Sequence, residues 1–546
     1  MSKNTKNILA LIIIGYLLFI FGNGIVSLTN PDEVFYAGTA KEMAEQHSWT
    51  TPYLFGQPQF EKPIFTYWMI RIGFILFGVT NFAARFFPAV FAIIGGIAVY
   101  FLSLNLFRNE KKAYISSLVL MSGGLYIGLA RTVFTDMIFS VFILAGLAAF
   151  YWGYTQHARK GAGIILSCIF MGLATLTKGP LGLFLPLFSI ILFLFIKKDI
   201  KYLICRSSLW GALLFALISF PWYILMIKNY GRAFTYEFFY NDHIRRFIEA
   251  EHRSNDTWYF YPFSMIGCIF PWSIFLFTGL FYFFKNLFKK NQPYLFLGCW
   301  IAVVFLVFQP AHSKLISYIF PLFPALALIA GDFIYNSITL ENKNRIFFGS
   351  ALASWFILLL VPIGATAALN KYPEYVSDKL PVYIFGAIYV AWLIFLLILI
   401  LRYKFLKSVY LISFFVPIFL VVVPFVINNI EPYVSSRDVS QLILKDHNVD
   451  NTILTSKFFA RGVRFYTGHE IAVIEIPGSN YFSPHPIAFL DTDVKAREFL
   501  KGQKVSICVI KKSTLRDFER ILAGTMKYTL IKKVGDEYLM KVEPLN

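Results

Sequence analysis

The chain has 546 residues, 57% of them hydrophobic and only 15% charged, with 50 Lys+Arg against 31 Asp+Glu for a net charge of +19. Soluble domains carry about 25% charge, so composition, with a mean hydropathy of +0.62, excludes an ordinary water-soluble protein. The basic excess forms no stripe interleaved with aromatics outside the apolar runs, which argues against nucleic acid as a partner and for topogenic loops and anionic membrane lipids.

The start, Met1 to Lys6 followed by the apolar Ile8–Phe21, has the order of a signal peptide but lacks an A-x-A-like cleavage site. It reads as an uncleaved first span with a cytoplasmic N-terminus. Apolar runs follow at roughly 8–28, 82–107, 112–130, 135–155, 162–177, 180–197, 207–227, 262–284, 293–309, 314–336, 346–368, 381–401 and 407–428. That is about thirteen spans at the length a bilayer requires. With the N-terminus inside, the cytoplasmic turns carry Arg108/Lys111/Lys112, Arg159/Lys160, Lys197/Lys198/Lys201/Arg206, Lys285/Lys289/Lys290, Lys343/Arg345 and Arg402/Lys404/Lys407. The outer turns carry fewer, Arg131, Lys178, Lys314 and Lys371/Lys379, as the positive-inside rule requires. The expected organisation is a transmembrane domain, 1–430, with outer loops 29–81 and 228–261, and an outer domain, 431–546.

In the first outer loop an amphipathic helix is expected from Asp32 to about Gln46. In the tail, helical and strand-like stretches alternate: Asp438–Asp446, Thr452–Lys457, Glu470–Glu475, Ile487–Asp491, Val494–Leu500, Val505–Lys511, Leu515–Leu522 and Tyr538–Val542. This predicts a small α/β domain. It has no Gly-rich phosphate loop after a strand, so it is not assigned catalysis. Cys168, Cys205, Cys268, Cys299 and Cys508 form no CxxC pair and no disulfide framework.

A charge at the edge of a span is costly unless paired, hydrated or functional. The outer edge gathers Asp32, Glu33, Glu61, Lys62, Arg85, Arg131, Asp136, Lys178, Arg245, Arg246, His312 and Lys314, whereas the cytoplasmic turns show mostly plain basic anchors. Chemistry is therefore expected outside. Asp32 and Glu33 suit a helix start, where they meet free N–H groups, and equally a carboxylate that acts as general base or orients an acceptor. Asp136 has two readings, an ion pair with Arg131 or a second acid facing an outer cavity with Asp32. Lys62, before Tyr67-Trp68, reads as a snorkelling interfacial lysine or as a point charge for a phosphate. Arg245 and Arg246 have the fork geometry for phosphate, and Lys314 with Tyr318 one turn further on offers another contact. His243 and His252 lack the spacing of a metal site, so no metal and no cofactor is expected.

In chain order, Asn30-Pro31-Asp32-Glu33, Phe60-Glu61-Lys62-Pro63, Arg131-x4-Asp136, Thr177-Lys178-Gly179-Pro180, Asn241-x-His243-x-x-Arg246-Phe247 and Ser313-Lys314-x3-Tyr318 resemble the aminoarabinose lipid A transferases, GT-C glycosyltransferases related to protein O-mannosyltransferases. The resemblance covers essentially the whole chain. It implies a polytopic α-helical GT-C fold in the bacterial inner membrane, with the C-terminal α/β domain periplasmic. It also implies an enzyme that moves 4-amino-4-deoxy-L-arabinose from undecaprenyl phosphate to a lipid A phosphate, giving resistance to cationic antimicrobial peptides; a monomer is expected. By position, Asp32 and Asp136 match the family's essential outer acids, with Glu33 beside them. Lys62 and Arg246 match its carrier-phosphate ligands and Tyr318 a tyrosine near that phosphate; Arg245, Lys314, Lys178 and His243 complete the expected substrate-binding set.

Competing readings keep the carrier but change the sugar to galactosamine or another hexosamine, or the acceptor to protein. A lipid or sugar transporter should place ionisable groups near the membrane midplane, and the middles of these spans are almost free of charge. A non-catalytic envelope scaffold is the remaining class; it predicts that Asp32→Asn leaves function intact.

Overall fold

The computed structural model describes residues 3–250, 253–339, 344–371, 373, 380–415, 429–446, 452–476, 487–503 and 505–545. The N-terminal helix α1 (Lys3–Gly15) runs on through a π-helical stretch, Tyr16–Ile20. The first outer segment holds α2 (Asp32–Glu45), the two-residue strands β1 (Tyr53–Leu54) and β2 (Gln57–Pro58), and an apolar helix α3 (Phe65–Phe77). At 13 residues α3 is about 20 Å long, too short to cross the hydrocarbon of a bilayer. It is an addition to the expected contents of this loop.

The helical body continues with α4 (Asn81–Phe107), α5 (Glu110–Met121), α6 (Gly124–Ala130), α7 (Thr135–Thr155), α8 (Lys160–Lys178), α9 (Leu181–Ile196) and α10 (Arg206–Thr235). After it come a π-helical stretch, Tyr236–Arg245, and a single turn, α11 (Arg246–Ile248). Then follow α12 (Phe260–Cys268), α13 (Ser273–Phe288), α14 (Gln292–Phe308), α15 (Phe323–Thr339), α16 (Asn344–Lys371), α17 (Leu380–Leu401) and α18 (Phe405–Ser413).

Among the described residues eight helices are long and apolar enough to span a membrane, or up to ten when each bent pair counts as one. The expected runs 112–130 and 262–284 are those bent pairs: α5 and α6 meet at 66°, α12 and α13 at 119°. Runs 180–197 and 293–309 form the shorter apolar helices α9 and α14, and most of run 407–428 lies outside the described residues. The protein is thus a multi-pass helical membrane protein. α7 is apolar on nearly every face, and 78% of its most apolar stretch is buried inside the protein, as such a helix must be.

The C-terminal portion has the expected α/β character. Its helices are α19 (Arg437–Asp446), α20 (Ala460–Thr467), α21 (Asp493–Lys501) and α22 (Leu515–Leu522). They cover a six-stranded sheet of β3 (Ile453–Ser456), β4 (Ile471–Ile474), β5 (Phe489–Leu490), β6 (Ser506–Lys511), β7 (Met526–Val534) and β8 (Glu537–Pro544), in the order β5-β4-β3-β6-β8-β7. β3, β4, β5 and β6 pair in parallel, while β8 is antiparallel to both β6 and β7. The two faces of the sheet carry separate cores, one around Leu454, Cys508, Phe518 and Met540, the other around Ile453, Val463, Val509 and Leu539.

This domain grips the first outer loop. Arg464 pairs with Glu42 at 3.0 Å, and the same carboxylate accepts from the Phe55 and Gly56 N–H groups at 3.1 and 2.7 Å. Lys41 donates to the Phe465 carbonyl, and Phe465 itself joins a buried cluster with Val34, Tyr36, Tyr67 and Phe238. Asn30 donates from its backbone to the Val434 carbonyl (2.8 Å) and from its side chain to Ser436 (2.7 Å). Ser436 in turn donates to Glu537 at 2.5 Å.

Candidate functional site

Glu33 and Asp32 are adjacent in the first turn of α2 and differ completely in surroundings. Glu33 is fully buried. One of its oxygens accepts from Arg85 Nε (2.7 Å) and the Val133 N–H (3.0 Å). The other accepts from Arg85 Nη2 (2.6 Å) and from the Thr29 N–H and hydroxyl (3.0 and 2.9 Å). Arg85 spends its remaining donors on the carbonyls of Asn23, Val26 and Ser27. A buried carboxylate demands such saturation; here it ties α2 to α4, to the turn before α7 and to the end of the first span. Asp32, next door, is exposed.

Asp136 occupies the first turn of α7 and is 5% exposed. Its ion pair is with Lys178, at 2.5 Å, whereas Arg131 donates to the Leu18 and Phe21 carbonyls at the end of the first span. Helix polarity accounts for the partner. α7 and α8 pack side by side and antiparallel, so the positive N-terminus of one lies beside the negative C-terminus of the other; an acid suits the first end and a lysine the second. Lys178 also lies 4.9 Å from the Tyr318 ring and 5.6 Å from the Phe139 ring, which brings Tyr318 to the Asp136 pair. Tyr36 stands between the two acids: burial first, then Tyr67 and the charges of Asp136 and Asp32, push its hydroxyl well above the ordinary value.

Lys62, on the chain between β2 and α3, donates to both oxygens of Asp242, at 2.6 and 2.9 Å. Arg246 reaches the same carboxylate at 3.2 Å across one helical turn. One acid thus bridges the two expected phosphate-binding cations, and none of the three side chains is more than 19% exposed. Asp242 is the unspecified position between Asn241 and His243 in the sequence motif. The signal for it was its i,i+4 spacing to Arg246; the link to Lys62, 180 residues away, had no sequence signal.

Gly179 follows Lys178 with φ +87°, and a Cβ there would meet His243 Nε2 at 2.7 Å. The Lys178-Gly179-Pro180 turn therefore touches the 241–246 segment directly, and only glycine fits. His243 Nδ1 is occupied by the Phe238 carbonyl at 2.6 Å. Backbone bonds from His312 to the Phe247 carbonyl and from Ser313 to the Arg246 carbonyl, both 3.1 Å, lay the 312–318 segment beside Arg246. Lys314 (3.1 Å) and His312 (2.8 Å) share Asp256, whose carboxyl these contacts hold below its ordinary value, His312 first. Arg245 pairs with the exposed Glu249 at 2.9 Å. Asp256 went unnoticed in the sequence, since a lone acid in a polar loop has no distinguishing pattern.

The structure thus gathers Asp32, Asp136, Lys178, Tyr318, Lys62, Arg246 and His243 at one end of the bundle, with Lys314 beside them. Glu33 is locked beneath and Arg245 lies at the rim. His252 is outside the described residues. Among those residues no group of three or more His, Cys, Asp or Glu is placed to hold a metal ion.

Residues 4–235 match the family described as dolichyl-phosphate-mannose-protein mannosyltransferase. The chain is 31% identical over 347 residues to an undecaprenyl phosphate-alpha-4-amino-4-deoxy-L-arabinose arabinosyl transferase of Edwardsiella ictaluri, a match covering 63% of this chain and 61% of that one. It is 30% identical over 373 residues to the protein of the same description from Erwinia tasmaniensis, covering 66% of each. The match thus spans less than two thirds of these relatives. The crystal structure of ArnT from Cupriavidus metallidurans bound to undecaprenyl phosphate shares the fold, with a TM-score of 0.79 and 21% identity over 98% of both chains. The protein is therefore a multi-pass membrane protein with the fold of that structure. In sequence, it is similar to aminoarabinose transferases, at 30–31% identity over 61–66% of their length.

Proposed function

We propose that this enzyme transfers an aminosugar, 4-amino-4-deoxy-L-arabinose, from undecaprenyl phosphate to a phosphate of lipid A. It works as a monomer at the periplasmic face of a bacterial inner membrane, with the N-terminus cytoplasmic and the C-terminal domain periplasmic. The observation that carries the reading is the convergence of Lys62 and Arg246 on Asp242, at the same end of the bundle as Asp32 and the Asp136–Lys178 pair. The names of the relatives supply the carrier and the sugar.

In the donor the carrier phosphate is a diester with one negative charge. When the bond from the anomeric carbon to the phosphate oxygen breaks, the electron pair stays on that oxygen and a second charge develops on the leaving phosphate. Lys62 and Arg246 meet that charge in the transition state, the moment at which stabilisation accelerates the reaction. Before donor binding, Asp242 holds the two cations together; the incoming phosphate shares or replaces it. The acceptor phosphate is already an anion, so its oxygen attacks the anomeric carbon without deprotonation. Asp32, exposed at the mouth, orients the acceptor or engages the donor's ammonium group. Asp136 holds Lys178 against Tyr318, beside the carrier phosphate.

The test is mass spectrometry of lipid A from a strain lacking the gene and from the complemented strain. Loss of an aminopentose on phosphate supports the proposal. Loss of a hexosamine replaces the sugar, and an unchanged lipid A removes it as acceptor in favour of protein or another envelope glycan.

A further inference from the structure

A cavity of about 780 Å³ opens far from the site just described, between α1, α5, the end of α15 and α18. Its two ends differ in chemistry. Lys3, Lys6 and Lys111 stand at one end, with the hydroxyl-bearing rings of Tyr114, Tyr335 and Tyr410 in the wall behind them. Beyond, the wall is mainly apolar, with Ala10, Ile14, Leu17, Leu118 and Met121, and the hydroxyls of Ser122 and Ser413 there are spent on their own helices' carbonyls. Lys3 pairs with Glu110 at 3.4 Å, while Lys6 and Lys111 carry no ion pair among the described residues and both are exposed. The bland account of these lysines is positive-inside anchoring. It does not explain why a groove with an apolar floor begins where they end.

Dimensions point the same way. From Lys6 to Leu17, α1 rises about 17 Å, close to half of a hydrocarbon core of about 30 Å. The groove therefore has the depth of one leaflet. Its outer wall is thin, because only 22% of the first helix's most apolar stretch is buried inside the protein and Leu9, Ile12 and Ile13 are exposed.

We infer that this groove is a binding site for an anionic phospholipid, its phosphate headgroup on Lys6 and Lys111 and one acyl chain lying between α1 and α18. On the orientation proposed above, the lipid belongs to the cytoplasmic leaflet; the charge-and-groove argument itself does not depend on which reaction the enzyme performs. The undecaprenyl carrier is not the occupant, because its phosphate is handled at the opposite end of the bundle.

The experiment uses the full-length protein reconstituted in bilayers of phosphatidylethanolamine and phosphatidylglycerol and released for native mass spectrometry. Wild type is expected to retain a single phosphatidylglycerol in preference to phosphatidylethanolamine. Each lysine near an anionic headgroup contributes roughly fivefold in affinity, so Lys6→Gln with Lys111→Gln should weaken retention about 25-fold. Arginine at both positions should preserve it. Ala10→Trp, which fills the groove and leaves the lysines in place, should also abolish retention, with thermal unfolding confirming that each variant is folded. Equal retention of both lipids by wild type, or unchanged retention by the glutamine variant, would overturn the inference. So would one-for-one displacement of phosphatidylglycerol by undecaprenyl phosphate.

Discussion

Glu33→Gln is the substitution that best separates architecture from chemistry at this site. The change keeps shape and size, removes the charge, and turns one acceptor oxygen into a donor. Depending on which oxygen is replaced, two or three of the donors that now converge on Glu33 lose their acceptor: Arg85 Nε with the Val133 N–H, or Arg85 Nη2 with the Thr29 N–H and hydroxyl. Hydrogen bonds to charged groups are worth about 1.5–3 kcal/mol each, and breaking one side of a buried ion pair costs about 3–5 kcal/mol. Both routes give a loss of about 3–5 kcal/mol. The assay is thermal unfolding of purified protein in detergent, followed by tryptophan fluorescence, with Arg85→Met and the double variant completing a cycle. The double variant should recover part of the loss, because neither group is then left charged and alone. Donor turnover, measured well below the unfolding transition, should survive in Glu33→Gln. Unchanged stability together with abolished turnover would refute the structural role and return Glu33 to the chemistry.

Three further outcomes follow from the same geometry. Lys62→Ala and Arg246→Ala should weaken donor binding by tenfold or more, the scale of a lost charge-assisted contact, and more than Asp136→Asn does; equal donor affinity in all three would rule out the roles assigned here. Gly179→Ala should destabilise the protein by about 1–3 kcal/mol, since it adds a Cβ at φ +87° and 2.7 Å from His243 Nε2; an unfolding temperature equal to wild type would show that the turn can shift. Burial raises the Glu537 carboxyl to about 8 from an ordinary 4.5, so the folded state holds a proton that the unfolded chain has released. Stability from this group is complete below pH 4.5 and is lost as pH rises toward 8, by a few kcal/mol at most; Glu537→Gln should flatten that part of the pH profile, and a profile unchanged by the substitution would contradict the assignment.

The apolar runs were legible because a bilayer core leaves few alternatives to a helix about 20 residues long. The breaks inside two of them were not. Around Ser122-Gly123 and Phe270-Pro271 the chain turns by 66° and 119°, yet composition stays apolar across both, and hydropathy carries no direction. In the C-terminal domain every expected stretch became an element, but two elements had no expected counterpart, α20 and the strand β7. Its Lys527, Lys532 and Lys533 conceal a strand, because β7 lies at the edge of the sheet, where lysines discourage pairing with other chains. At the site, the face bearing the charges could be read from their scarcity elsewhere. The partnerships could not: Lys178 joins Asp136 across 42 residues and Lys62 joins Asp242 across 180, and such distances are bridged only by the packed fold.

The hydrogen-bonded chain from Asn30 through Ser436 to Glu537 sets an order on the protein's biogenesis. Asn30 is made about 500 residues before Glu537. At about 5–20 residues per second, roughly half a minute to two minutes of synthesis separates them. For about the first four fifths of that time the turn bearing Asp32 has no Val434 or Ser436 to hold it, and Ser436 gains its own partner Glu537 only at the end. The nascent chain can thread its spans into the membrane while this corner of the site remains unassembled, and a chain truncated before β8 keeps Ser436 but leaves it without the Glu537 carboxylate that holds it.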